Sequence, residues 1–167
     1  MYKYNQTYEK EFKSGAIFKR APKGIIIFDT FNNRWFPIDT VKIDTNMYNM
    51  RIIKDDFHHI YGGSSRDNIF LPWHYSVEFI GKSYISSVSR PIMYKSLIPG
   101  YEEYISICLV GDTNSDMYTK ELYKVIAHNI INSFRYIPGW NINVVDNTEL
   151  LDIGSSFNES ELRKQIK

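Results

Sequence analysis

Residues 104–110 read Tyr-Ile-Ser-Ile-Cys-Leu-Val and close on Gly111-Asp112. A strand with one wet face alternates apolar and polar residues. A run this continuous belongs to a strand covered on both faces. It therefore demands a sheet with a layer on either side. A second run, Gly24-Ile25-Ile26-Ile27-Phe28-Asp29-Thr30, has the same character and ends in an Asp-Thr turn. Between the two, Trp73, Tyr75, Val77 and Phe79 alternate with His74, Ser76 and Glu78, the signature of a strand with one buried face. Gly81-Lys82 makes a tight turn, and residues 83–88 return as a partner strand.

The other segments supply the layers. Thr45 reads as an N-cap and Gly62 as a stop for a helix over residues 44–63, with Met47, Met50, Ile53, Phe57 and Ile60 as its apolar stripe. Thr119 caps a second helix, in which Leu122, Val125, Ile126, Ile130 and Phe134 share a face, and Pro138-Gly139 ends it. Residues 140–145 read as a short final strand and residues 158–166 as a closing helix. The expected class is α/β, a single sheet of about five strands flanked by helices.

Composition narrows the function. A chain of 167 residues suits one domain with a core sufficient for independent stability. Residues 1–23, polar, basic and aromatic, are expected to pack on the domain edge as an N-terminal extension, with the domain itself over 24–167. A net charge of +1 gives no footprint for a nucleic-acid polymer. The lone Cys108, inside an apolar strand, excludes a disulfide framework. The first residues lack the apolar region of a secretory signal, and no apolar run reaches membrane-spanning length. A soluble, cytoplasmic protein is expected.

Residues 73–91, WHYSVEFIGKSYISSVSRP, followed by 104–113, YISICLVGDT, resemble the middle of zinc-dependent N-acetylmuramoyl-L-alanine amidases. This peptidoglycan-recognition family includes amidase-type phage lysozymes. The likeness rests on the order and spacing of the pieces, and flanking segments extend it over most of the chain. Residues 118–130, YTKELYKVIAHNI, resemble the family's helix after the Gly-Asp turn. Residues 24–30 resemble its first strand, and Asp152-Ile153-Gly154-Ser155-Ser156-Phe157 resembles its D-P-G-P-x-F segment.

The resemblance implies a zinc hydrolase fold, a single mixed β-sheet of about five strands flanked by helices, and the zinc ligands are where this chain departs from it. Phe28 stands at the position of the first histidine ligand, Asp146 or Asn147 at that of the second, and Asp152 at that of the third. Phenylalanine has no lone pair to offer, and two carboxylates at best suit zinc poorly. Without the metal, water keeps a pKa of about 15.7, and amide hydrolysis loses its nucleophile. His58-His59 follows Lys54-Asp55-Asp56 at a predicted helix end, so it reads as a solvated pair rather than a ligand site. His74 reads as a hydrogen-bonded structural histidine. Cys108 reads as a packing residue, because no base or electropositive surrounding marks it as a nucleophile.

The expectation is a catalytically silent amidase-like protein, phage-encoded by analogy and acting in the host cytoplasm, with no cofactor. Its former substrate groove, lined by Phe28, Trp35, Trp73, Tyr94, Asp146, Asn147 and Asp152, would bind a cell-wall fragment or another small host molecule such as a nucleotide signal. Two alternatives stand beside it. One is a protein-interaction or structural module on the same fold. The other is an active zinc amidase with ligands drawn from His58, His59, His74 or Asp152.

Overall fold

Strand β1, Gly24–Asp29, is buried at all six positions and organises the sheet. The computed structural model describes residues 17–35 and 71–166. The predicted helix over 44–63, with His58 and His59, and most of the N-terminal extension lie outside the described residues. β2 spans Tyr75–Ile80, β3 Ser83–Val88 and β4 Tyr104–Leu109. Helix α1, Lys120–Lys124, runs on into a π-helical segment, Val125–Ile130, and a 3-10 turn, Ile131–Phe134. A second 3-10 turn, Val144–Asp146, leads into β5, Thr148–Leu150, and helix α2, Glu159–Gln165, closes the described chain.

The sheet order is β3-β2-β4-β1-β5. β1 lies parallel to β4 on one side and to β5 on the other, and β2 is parallel to β4. Only β3 runs antiparallel, as the return of the β2 hairpin. The sheet is therefore mixed, five-stranded and flanked by helices, as expected. Gly81 takes φ +64° at the first centre of the two-residue turn, where glycine alone enters without strain.

Both faces of β1 are covered, which is why its sequence does not alternate. Ile25 and Ile27 join Val77, Ile105, Ile107 and Leu109 against Leu122, Ile126, Ile130 and Leu162 of the helical layer. Ile26 and Phe28 face the opposite way, into a cluster with Leu71, Trp73, Ile98 and Cys108. Each such side chain contributes roughly 1.5–3 kcal/mol by leaving water. Trp35, Tyr101 and Tyr104 pack over this second cluster, half-buried. No helix among the described residues is long and apolar enough to cross a membrane.

Two elements differ from the pattern. β2 begins at Tyr75, because Trp73 and His74 sit in a bend where the Trp73 indole donates to Ser76 Oγ at 2.7 Å. The strand predicted over 140–145 is replaced by the 3-10 turn at Val144–Asp146, and β5 forms immediately after it. Asn143 caps that turn by accepting from Val145 N–H at 3.2 Å, while Val144 and Val145 bury into the core. Pairing with β1 starts only where Ile25 N–H reaches Asn147 O at 2.8 Å, and Ile25 then lies level with Thr148.

At that junction Gly24 lies flush against Asn147, whose backbone oxygen and side chain occupy the space a Cβ would need. The Asn147 amide is itself tied to Lys23 O at 3.0 Å. Gly24→Ala should therefore cost about 1–3 kcal/mol of stability, read as a lower urea midpoint at unchanged slope. An unchanged midpoint would show that the β1–β5 junction yields freely.

Candidate functional site at the carboxyl ends of the parallel strands

Because β1, β4 and β5 are parallel, all three release the chain at the same edge of the sheet, where α/β sheets present their ligand crevices. The three exits, residues 30–35, 110–116 and 151–156, are knitted together by polar side chains. Asp29, fully buried at the end of β1, is the centre. Its Oδ1 accepts Asn32 N–H at 2.6 Å. Its Oδ2 accepts the Asn32 side-chain amide at 2.6 Å and both the backbone N–H (2.9 Å) and hydroxyl (2.6 Å) of Thr113.

Thr113 passes the link to the third exit. Its hydroxyl accepts Gly154 N–H at 2.6 Å, and its carbonyl accepts Ser156 N–H at 2.9 Å. Asp112 accepts from the Asn32 side chain at 3.0 Å, Asn114 N–H at 2.9 Å and Ser115 Oγ at 2.8 Å. Burial opposes its charge, but these three donors outweigh burial and hold its carboxyl below the ordinary value. The Gly-Asp loop is thus a turn held by its own carboxylate.

At the rim, Arg34 makes a two-pronged bond to Asp152, Nε to Oδ2 at 2.8 Å and an Nη to Oδ1 at 2.6 Å. The hydrogen bond and charge of Arg34 lower the Asp152 carboxyl from its usual range. Asp152 holds φ +54°, a left-handed conformation unusual for a residue with a side chain. The same guanidinium stands 5.7 Å from the Trp35 ring centroid. Arg34 is the site residue the sequence pattern does not single out. Its signal would have been the Arg-Trp pair just past a strand-ending Asp-Thr.

The seven groove residues expected from the sequence are not gathered into one groove. Phe28 and Trp73 are interior, edge-to-face with each other at 5.7 Å, and Phe28 meets Trp35 likewise at 5.4 Å. They support the surface from beneath and offer a ligand no face. Asp146 and Asn147 are exposed at the amino end of β5, whereas Asp152 lies past its carboxyl end, so the strand itself separates them. Tyr94 sits in the connection after β3, pairs by a lone bridge with Ile17, and has the Arg90 guanidinium 5.4 Å from its ring. Trp35 and Asp152 alone share the rim, joined through Arg34.

The residues aligned with the zinc ligands do not fit the metal. Phe28 is apolar and enclosed, and both Asp152 oxygens are engaged by Arg34. Asp146 and Asn147 are at the far end of β5. No group of three or more His, Cys, Asp or Glu side chains placed to hold a metal occurs among the described residues. Burial pushes the Cys108 thiol well above its ordinary pKa, which suits packing and disfavours a thiolate.

His74 is enclosed on the second face of the sheet. Its Nε2–H donates to Tyr94 O at 2.6 Å, and Nδ1 accepts Ser106 N–H at 3.1 Å, which fixes the neutral tautomer. Phe18 stacks on the ring at 6.0 Å. Both ring nitrogens are thereby committed, in keeping with a structural histidine.

No family model, curated protein or solved structure matches the chain.

Two outcomes test this arrangement. Asp29→Asn keeps the shape but turns an amide donor toward Thr113 or Asn32, so it should cost about 2–4 kcal/mol in chemical denaturation. A loss of a few tenths would mean water replaces the carboxylate. Burial, with Arg90 adding a smaller effect, lowers His74 from 6.5 to about 4. The unfolded chain therefore takes up the proton first. Stability is full above about pH 6.5, falls as the pH drops toward 4, and loses roughly 3 kcal/mol over that window. Urea melts at successive pH values should show this slope, and His74→Gln should flatten it; an equal slope in both would assign the dependence to other groups.

Proposed function

We propose that this chain is a catalytically silent, amidase-like binding protein, cytoplasmic and phage-encoded by analogy, that takes a small anionic ligand at the carboxyl edge of its parallel strands. The mixed five-stranded sheet supports the amidase-like reading in outline. The observation that carries the proposal is the Arg34–Asp152 pair beside Trp35. An arginine fork matches a carboxylate or phosphate, and an indole face suits a sugar, peptide or base. The ligand's anion would take the fork from Asp152, while its flat or apolar part would lie on Trp35. Muropeptides and mononucleotides both have that chemistry.

Loss of hydrolysis is supported by the same edge. Asp29 is committed to four internal donors, and both oxygens of Asp152 are engaged by Arg34, so these two carboxylates are occupied in positioning. The test is a thermal-shift screen of muropeptides and mononucleotides beside zinc analysis of chelator-free protein. One class should raise the melting temperature, since ligand at about 100 times its Kd stabilises by about 2.7 kcal/mol. Arg34→Ala should abolish the rise. No shift with either class, an equal shift in the variant, or one zinc per chain would each overturn the proposal.

A further inference from the structure

β3 forms one end of the five-stranded sheet and, among the described residues, pairs only with β2. Edge strands are ordinarily protected from pairing with another strand by charge, proline or a bulge. β3 has none of these. Its six residues, SYISSV, contain no charged residue and no proline, and its register with β2 is unbroken from Ser83 to Val88. Four apolar residues of the hairpin are also open to water, beside the exposed Lys82, Ser83 and Ser87. Val88 is 65% exposed, Phe79 54%, Ile80 47% and Ile85 43%.

The partner's nature follows from the register and from the backbone groups that β3 turns away from β2, which have no strand partner among the described residues. The two-residue turn closes on the pair Ile80 and Ser83, a hydrogen-bonded pair. Residues 83, 85 and 87 therefore direct their backbone groups at β2, and residues 84, 86 and 88 direct theirs outward. The outward set is centred on Ser86. A two-fold axis through Ser86, perpendicular to the sheet, sets Ser86 against its own copy and Tyr84 against Val88 in both directions. All outward amides and carbonyls are then paired, and the helical layers of the two copies fall on the same side. On the opposite face Ile85 stands across from Ser87. A charged edge would repel its own copy in this arrangement, whereas an uncharged one does not.

We propose that β3 is a self-pairing edge, through which two copies of this chain join antiparallel about Ser86 into one continuous sheet. This surface is formed by the hairpin and is independent of the Arg34–Asp152 rim. The contact strip is short, six residues at about 3.4 Å each. It falls below the roughly 800 Å² per partner of a standard interface, so the dimer is weak, with a Kd in the micromolar range or above.

Sedimentation velocity of the full chain, from about 5 µM to about 500 µM, tests this directly. The weight-average coefficient should rise from monomer toward dimer across the range. Two separate variants, Ile85→Lys and Val88→Lys, each place a charge at an exposed position of the strip. Either should hold the chain monomeric at every concentration while its melting curve stays cooperative. A third, Ser86→Pro, removes an outward N–H without touching the β2 ladder and should do the same. A wild-type chain that stays monomeric throughout overturns the proposal. So does a dimer that persists in a variant whose circular dichroism is native.

Discussion

The Asp29 carboxylate is the constraint on which the carboxyl edge depends. A buried charge is tolerated only when its lone pairs are filled, and here four donors from two loops fill them. That requirement fixes Asn32 after β1 and Thr113 after β4. Thr113 in turn fixes Gly154 and Ser156 after β5. Gly154 lies so close to Asn114 that a Cβ there would overlap it. Three loops that would otherwise move separately are held as one surface.

Asp29 and Asp112 hold the loops by accepting from internal donors, and Asp152 holds the rim by accepting from Arg34. The opposite face follows the same logic. His74 has both ring nitrogens committed, and Cys108 is kept a thiol by burial. At the carboxyl edge Arg34 is exposed and Trp35 half-buried beside it.

Much of the fold was legible from residue order. Gly24–Asp29 and Tyr104–Leu109 read as doubly covered strands because neither face can be left to water, and both are central. The β2–β3 hairpin was legible from alternation broken by Gly81-Lys82. The last strand was misplaced because Val144 and Val145 have strand-like side chains. The Asn143 cap, a local competitor, bends them into a turn before pairing can begin. The site was less legible. Phe28 and Trp73 look like groove aromatics in a sequence, yet their exposure depends on what packs over the sheet face.

The sequence by itself determined the two central strands, the hairpin turn, the helical face over residues 120–134 and a side chain at position 28 that has no lone pair for a metal. These follow from side-chain period, backbone freedom and donor chemistry, which are local. Only the tertiary structure decided that Arg34 meets Asp152 across 118 positions of chain, that Asp29 reaches Thr113, and that Asp146 and Asp152 end on opposite sides of β5. Those facts depend on strand order and parallel direction. Neither is encoded in any short window, because parallel neighbours are set by how distant segments bury their faces together.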